Sequence, residues 1–234
     1  MKIALIGYGK MGKAIAALAV ERGHELITID VGDSIDMLAD QKPDVAIEFT
    51  TPEAAPNNIR YCLTHGIPVV CGTTGWLSEL EQIKSLCLQS GGCFFYASNY
   101  SLGVNLFFKL NAHLAKLMAG KGYDVSIHEI HHTQKKDAPS GTAITLAEGI
   151  IKNNPAFTSW SQDGKQPGSI QITSERKDPY PGTHEISYAG KVDEIRIEHT
   201  AHSREGFASG ALAVAEWLPG KQGILGMDDF LGIG

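Results

Sequence analysis

No apolar run in this sequence approaches the roughly 18 residues that a membrane-spanning helix needs. The opening stretch, MKIALIGYGK, is interrupted by glycine too early to read as a secretory leader. There is no surplus of positive charge either. Lys and Arg number 20 against 26 Asp and Glu, a formal net charge of −6 with His neutral. That balance offers no broad basic field to nucleic acid or to an anionic membrane. Cysteine is scarce. Cys62, Cys71, Cys87 and Cys93 form no C-x-x-C pair and no zinc-like spacing. They read as reduced core thiols of a soluble cytoplasmic protein, and no metal site is expected. Internal repeats and low-complexity tracts are missing too. What remains is an ordinary globular composition, 43% hydrophobic and 20% charged over 234 residues. It suits one large domain or two small ones.

Apolar runs and helical segments alternate through the first 100 residues. Strands are expected at Lys2 to Ile6, Glu25 to Asp30, Asp44 to Phe49, Pro68 to Cys71 and Cys93 to Ala97. Helices are expected from Lys13 to Arg22, closed by Gly23, from Thr51-Pro52-Glu53 to about His65, and from Leu77 to Leu88. Alternating strands and helices, with apolar strands, predict a parallel sheet covered on both faces. After Ser98 the pattern changes. A long amphipathic helix over Leu102 to Met118 precedes a strand over Tyr123 to His131 and a helix over Thr142 to Asn153. A polar turn follows at Gly164 to Gly168, then three alternating segments at Ile170 to Arg176, His184 to Tyr188 and Glu194 to Ala201. Strands without intervening helices predict an antiparallel or mixed sheet, hence an α+β domain. Phe207 to Trp217 is a closing helix that the pattern leaves unassigned between the two domains.

The first strand runs into Gly7-x-Gly9-x-x-Gly12, and a helix follows. In that setting Gly7 permits a tight turn, Gly9 lets backbone N–H groups approach a pyrophosphate, and Gly12 lets the helix pack against the strand. Asp30, at the end of the second strand, stands where such folds place an acid for ribose hydroxyls. Val31 follows it and offers no cation to a 2′-phosphate. That favours NADH, while Lys10 and Lys13 leave NADPH open as a second donor. Gly72-Thr73-Thr74 and Ala97-Ser98-Asn99-Tyr100 follow the fourth and fifth strands. They are expected to bind the cofactor's nicotinamide side, at the carboxyl ends of the sheet.

A second cluster lies in EIHHTQKKDAPSGTA. His131 and His132 end a strand and so face opposite ways, and Lys135 and Lys136 follow. Pro139-Ser140-Gly141-Thr142 then turns into a helix whose first N–H groups carry partial positive charge. Lys, His and a helix N-terminus together form a place to hold carboxylates. Each histidine is expected to titrate near neutrality and to serve as acid or base. Of the remaining histidines, His24, His65 and His113 read as helix-end or surface residues, His128 and His184 lie nearer the candidate cleft, and His199 and His202 sit near the end of the last strand.

EIHHTQKKDAPSGTA resembles the signature of the 4-hydroxy-tetrahydrodipicolinate reductase (dihydrodipicolinate reductase) family: Glu129, His131, His132, Lys135, then Asp137 through Thr142. GTTGW and ASNYSLGVN resemble that family's two cofactor loops. The resemblance runs from Ile3 to about Leu231. The glycine turn is one residue shorter than the commonest form and the stretch from Asp30 to Asp44 is abbreviated, so the chain resembles a short form. The resemblance implies a Rossmann-type dinucleotide-binding domain over 1–100 and 207–234, and an α+β substrate-binding and oligomerisation domain over 101–206. It implies NAD(P)H-dependent reduction of a small dicarboxylate in lysine and diaminopimelate biosynthesis, in a homotetramer. It makes His131 the proton donor and acceptor and Lys135 a proton donor, with His132, Gly141 and Thr142 binding substrate. Gly7, Tyr8, Gly9, Lys10, Met11, Gly12, Asp30 and the two loops would bind cofactor. The same elements would also serve another Rossmann oxidoreductase acting on an amino or imino acid.

Overall fold

A computed structural model describes residues 1–164, 166–203 and 205–233. Lys165, Arg204 and Gly234, which fall within the turn and domain ranges expected above, lie outside the described residues. In chain order the elements begin with β1 (Lys2–Ile6), α1 (Lys10–Glu21), β2 (Glu25–Ile29), α2 (Met37–Gln41), β3 (Val45–Glu48) and α3 (Ala55–Thr64). Next come β4 (Val69–Cys71), α4 (Leu80–Ser90), β5 (Cys93–Tyr96), α5 (Leu102–Met118), β6 (Asp124–His131) and α6 (Gly141–Asn153). The chain continues with β7 (Ser159–Ser161), β8 (Ser169–Arg176), β9 (Gly182–Ala189), β10 (Glu194–Ala201), α7 (Glu205–Trp217), β11 (Gly223–Leu225) and α8 (Met227–Leu231). They form two compact units, Met1–Leu102 with Glu205–Gly234, and Gly103–Arg204.

The first unit is built on a parallel six-stranded sheet in the order β11-β5-β4-β3-β1-β2. Its strands are apolar on both faces. In β1, Ile3 and Leu5 join a core with α1 and α7, while Ala4 and Ile6 join another with α2, α3 and α4. That is the pattern of a sheet covered on both sides. Strand order reverses between β1 and β3, and ligands of such sheets bind outside the carboxyl ends at the reversal. The closing helix α7 packs on this unit's sheet through Ala208, Ala211, Leu212 and Val214.

Several helix starts differ from expectation. α1 begins at Lys10, with Gly9 as its N-cap, so the glycine turn feeds straight into the helix. α3 begins at Ala55, because Pro56, which lacks an N–H, takes a place in the first turn. Thr51 to Glu53 forms a preceding turn, with the Thr51 carbonyl accepting from the N–H groups of Ala54 and Ala55.

The second unit holds a five-stranded sheet in the order β10-β9-β6-β8-β7. It is mixed: β6 runs antiparallel to β9 and parallel to β8. Its core joins Val125, Ile127, Ile170, Ile172, Ile186 and Tyr188 of the sheet to α5 and α6. Among the described residues no helix is long and apolar enough to cross a membrane.

Candidate active site

In the first unit the glycine turn lies at the carboxyl end of β1, beside the strand-order reversal. Gly7 has φ +97°, and a Cβ there would lie 2.0 Å from the Phe49 carbonyl oxygen. A Cβ on Gly12 would lie 2.1 Å from the Gly7 carbonyl oxygen. Both glycines are thus required by close backbone approach. At Gly9 a Cβ would meet nothing within 4 Å, so this backbone is open to a ligand. No acid stands in the first turn of α1, whose leading N–H groups and Lys10 suit an anion. A cavity of about 430 Å³ is lined here by Gly9, Lys10, Met11, Thr50, Gly72 and Thr73 among others. These features fit a dinucleotide.

The neighbouring loops are braced from below. Thr73 accepts the Thr50 N–H at 2.8 Å, and its carbonyl accepts the Trp76 indole N–H at 2.7 Å. Buried Glu48 accepts from the Thr50 hydroxyl and from the Cys71 thiol at 3.1 Å. Gly72 is half-buried and Thr74 exposed. Ala97 is core, Ser98 exposed, and Asn99 half-buried with its side-chain oxygen accepting the Ser101 N–H. Tyr100 is buried, and its hydroxyl donates to the Cys71 carbonyl at 2.6 Å, so its side chain braces the loop from within the core. Tyr8 packs against the core edge. Asp30 is exposed and folds its own turn: one oxygen accepts the Val31 N–H, and the Asp30 N–H donates to Asp33. All four thiols are buried. Burial pushes Cys62 up to about 12 and Cys93 up to about 11.

The second unit's site follows from strand register. Alternate residues of a strand share a face. On β6 one face carries Val125, Ile127, Glu129 and His131, all buried. Ile127 pairs with Ile172 and Ile186, Glu129 with Ser174 and His184, and His131 with Arg176. Three adjacent strands therefore turn from apolar to polar at the same level. Below it lies core; above it, side chains far apart in the chain converge on Glu129.

Glu129 is fully buried. Its Oε1 accepts from the Ser140 N–H at 3.0 Å, the Ser174 hydroxyl at 2.7 Å and the Arg176 guanidinium at 3.2 Å. Its Oε2 lies 3.4 Å from His131 Nδ1 and 3.6 Å from His184 Nε2. Burial alone would raise this carboxyl, but contacts from His184, Ser140 and Ser174 together outweigh it and hold the group well below the carboxylate range. His131 departs from the expected neutral titration. Burial, against the opposing pull of Glu129, lowers it to about 4, with His184, Lys135 and Arg176 adding repulsion. The ring is therefore neutral near pH 7.

Ser140 caps α6, its hydroxyl accepting the Ala143 N–H at 3.2 Å and meeting His184 Nε2 at 3.1 Å. Gly141 and Thr142 are the first two helical residues, so their N–H groups lie outside the intrahelical ladder. Gly141 is exposed. Lys135 pairs with Asp137 at 2.9 Å, and Arg176 ties that loop down through the carbonyls of Lys135 and Asp137. His132 lies just beyond β6, half-buried. The structure thus gathers His131, Lys135, Gly141 and Thr142 around one helix start, and adds Glu129, His184, Ser174 and Arg176. The sequence held one sign of His184: it alternates with Ile186 and Tyr188, which places it on the core face of β9.

Residues 1–100 match the family model described as "Dihydrodipicolinate reductase, N-terminus", and residues 103–231 match "Dihydrodipicolinate reductase, C-terminus". The chain belongs to the dihydrodipicolinate reductase family. It is 47% identical to a 4-hydroxy-tetrahydrodipicolinate reductase of Christiangramia forsetii, over 99% of this chain and 98% of that one. It is 36% identical to that of Methanococcoides burtonii, over 95% and 86% of the two chains. A solved dihydrodipicolinate reductase from Paenisporosarcina sp. TG-14, with dipicolinate bound, superposes with a TM-score of 0.81 at 25% identity, covering 97% of each chain. Membership of this family makes the protein an NAD(P)H-dependent oxidoreductase with a pyridine-nucleotide-binding Rossmann domain.

Proposed function

We propose that this protein reduces 4-hydroxy-tetrahydrodipicolinate to tetrahydrodipicolinate, for lysine and diaminopimelate synthesis in the cytoplasm. The observation that carries the reading is the concentration of donors around the start of α6: two free helical N–H groups, a capped N-terminus, His131 and Lys135. Such a cluster suits a small ring with two carboxylates. Gly141 and Thr142 grip one carboxylate, and His132 contacts the substrate. His131 and Lys135 move protons.

The substrate loses its 4-hydroxyl as water, and the nicotinamide cofactor supplies the hydride that reduces the ring at C4. A proton must then reach C3. His131 is neutral in the resting protein, and a bound dianion raises its affinity for the proton it must deliver. Lys135 steadies the negative charge that builds on the ring. In the first unit Gly7 to Gly12 hold the pyrophosphate and Asp30 the ribose, while Gly72 to Thr74 and Ala97 to Tyr100 frame the nicotinamide side. Exposed Asp30 and Asp33 repel a 2′-phosphate, which makes NADH the preferred donor and NADPH the weaker one. Leu106, Leu110 and Leu117 form an exposed apolar stripe on α5, which supports assembly, as a homotetramer.

The test generates the hydroxy-tetrahydrodipicolinate in situ and follows oxidation of NADH and, separately, of NADPH. Turnover with a higher kcat/KM for NADH is expected. Oxidation with an amino acid such as aspartate but not with the dicarboxylate ring would overturn the reading.

A further inference from the structure

Glu129 contacts more polar groups than any role in holding substrate requires. It is fully buried in the face it shares with His131, and its two oxygens are used differently. Oε1 is saturated by Ser140, Ser174 and Arg176. Oε2 has no hydrogen bond of ordinary length and faces His131 Nδ1, a buried atom equally without one, at 3.4 Å. The other ring nitrogen of His131, Nε2, points toward Gly182, where a Cβ would lie 3.0 Å from it. Glycine at that place leaves this edge of the imidazole uncovered.

Two kinds of site could use this arrangement. Glu129 Oε2, His131 and His184 bring ligand atoms within 4.8 Å of one another, as a metal site would. But Arg176 already lies 3.2 Å from the same carboxylate and neutralises it. A divalent ion would add buried positive charge with no anion left to balance it. The remaining use is to fix a histidine.

We propose that Glu129 is a positioning residue that holds His131 with its proton on Nδ1, so that Nε2 is the nitrogen that exchanges protons with the substrate. The inference rests on the reading above, in which His131 moves a proton. A carboxylate is an acceptor only, so the ring nitrogen facing it must carry hydrogen. In the transfer, the proton leaves Nε2 of the imidazolium and the substrate's electron pair forms the new C–H bond. Nδ1–H stays on the neutral ring, still facing Glu129. No bond at Nδ1 changes, so the carboxylate can remain ionised throughout. His184 Nε2 meets the Ser140 hydroxyl that caps α6 at 3.1 Å and lies 3.6 Å from the same Oε2, so it sits between the carboxylate and the helix start.

Glu129→Gln tests this. Its amide oxygen can replace Oε1 and keep the Ser140, Ser174 and Arg176 bonds. Its NH₂ then faces Nδ1 and demands an acceptor there, which inverts the tautomer. Replacing such an orienting carboxylate by an amide, which inverts the tautomer, can cost up to about 10,000-fold in kcat. We expect kcat to fall by about 100-fold or more, with KM for the dicarboxylate near wild type. Nitrogen-15 NMR of histidine-labelled protein, with His131 assigned by its loss in His131→Gln, should show neutral His131 protonated at Nδ1 in wild type and at Nε2 in the variant. A wild-type ring protonated at Nε2, or an unchanged kcat in the variant, would overturn the proposal. If Glu129→Gln does not fold, the wild-type spectrum alone decides. Failure of the functional reading looks different: wild type would oxidise no NADH with the ring substrate, whatever its tautomer.

Discussion

The two units prepare for ligands by opposite means. The first works with backbone. Gly7, Gly9 and Gly12 lie within one turn of chain, and two of them are glycine because a carbonyl oxygen occupies the space of a side chain. The second works with buried side chains brought together by strand register. Glu129 meets Ser174, 45 residues on, only because β6 and β8 pair in one alignment. A local motif tolerates change elsewhere, provided the turn survives. A register-built site does not, since a slip of one residue would turn Glu129 and His131 away from the core face.

The largest effect should come from the second unit alone. His131→Gln and Lys135→Ala are each expected to lower kcat by about 100- to 10,000-fold, the usual contribution of a general acid. NADH affinity, measured by titration calorimetry, should stay near wild type. A parallel loss of NADH binding would break the comparison, because it would mean that the two sites are not independent. Gly7→Ala probes the other side. Its φ of +97° and the 2.0 Å approach to Phe49 leave no room for a methyl group. Strain of this kind costs up to roughly 3 kcal/mol, so NADH binding should weaken by on the order of 100-fold as the turn shifts.

The same contrast explains what the sequence disclosed. The parallel sheet, the glycine turn and the loop from His131 to Thr142 could be read because their signals are periodic or contiguous. Short elements escaped: α2, β7, β11 and α8 are too brief to show a period. Arg176 escaped, and His184 could be placed near the cleft but given no partner, for another reason. A lone histidine on an apolar strand and an arginine at a strand end have no meaning until β6, β8 and β9 are aligned. Nor could the sequence show that burial would lower His131 to about 4. That shift makes a prediction of its own. The unfolded chain takes up this proton near the ordinary value of about 6.5, whereas the folded protein resists until about 4. Folding therefore loses stability as pH falls across that window, by on the order of 3 kcal/mol in full. Glu129, whose carboxyl is depressed, contributes above the unfolded value of about 4.3 and loses its contribution only below it. Urea midpoints measured from pH 7 to pH 4 should fall more steeply in wild type than in His131→Gln, and equal slopes would count against the burial of His131.

The smallest effect separates the two faces of β6 itself. His128 lies one position from Glu129, but its side chain is on the opposite face, exposed, bonded to the Thr173 hydroxyl at 2.8 Å and 3.7 Å from Glu175. Exposed pairs of this kind are worth at most about 1 kcal/mol, and surface substitutions usually cost less than about 0.5 kcal/mol. His128→Ala should therefore leave kcat unchanged and move the urea midpoint only slightly. A histidine three positions earlier in the strand than a proton carrier, with the same intrinsic chemistry, would then be silent because the pleat turns it toward water. If His128→Ala instead lowered kcat as His131→Gln does, the alternation of β6 would be wrong by one residue, and the site built around Glu129 would go with it.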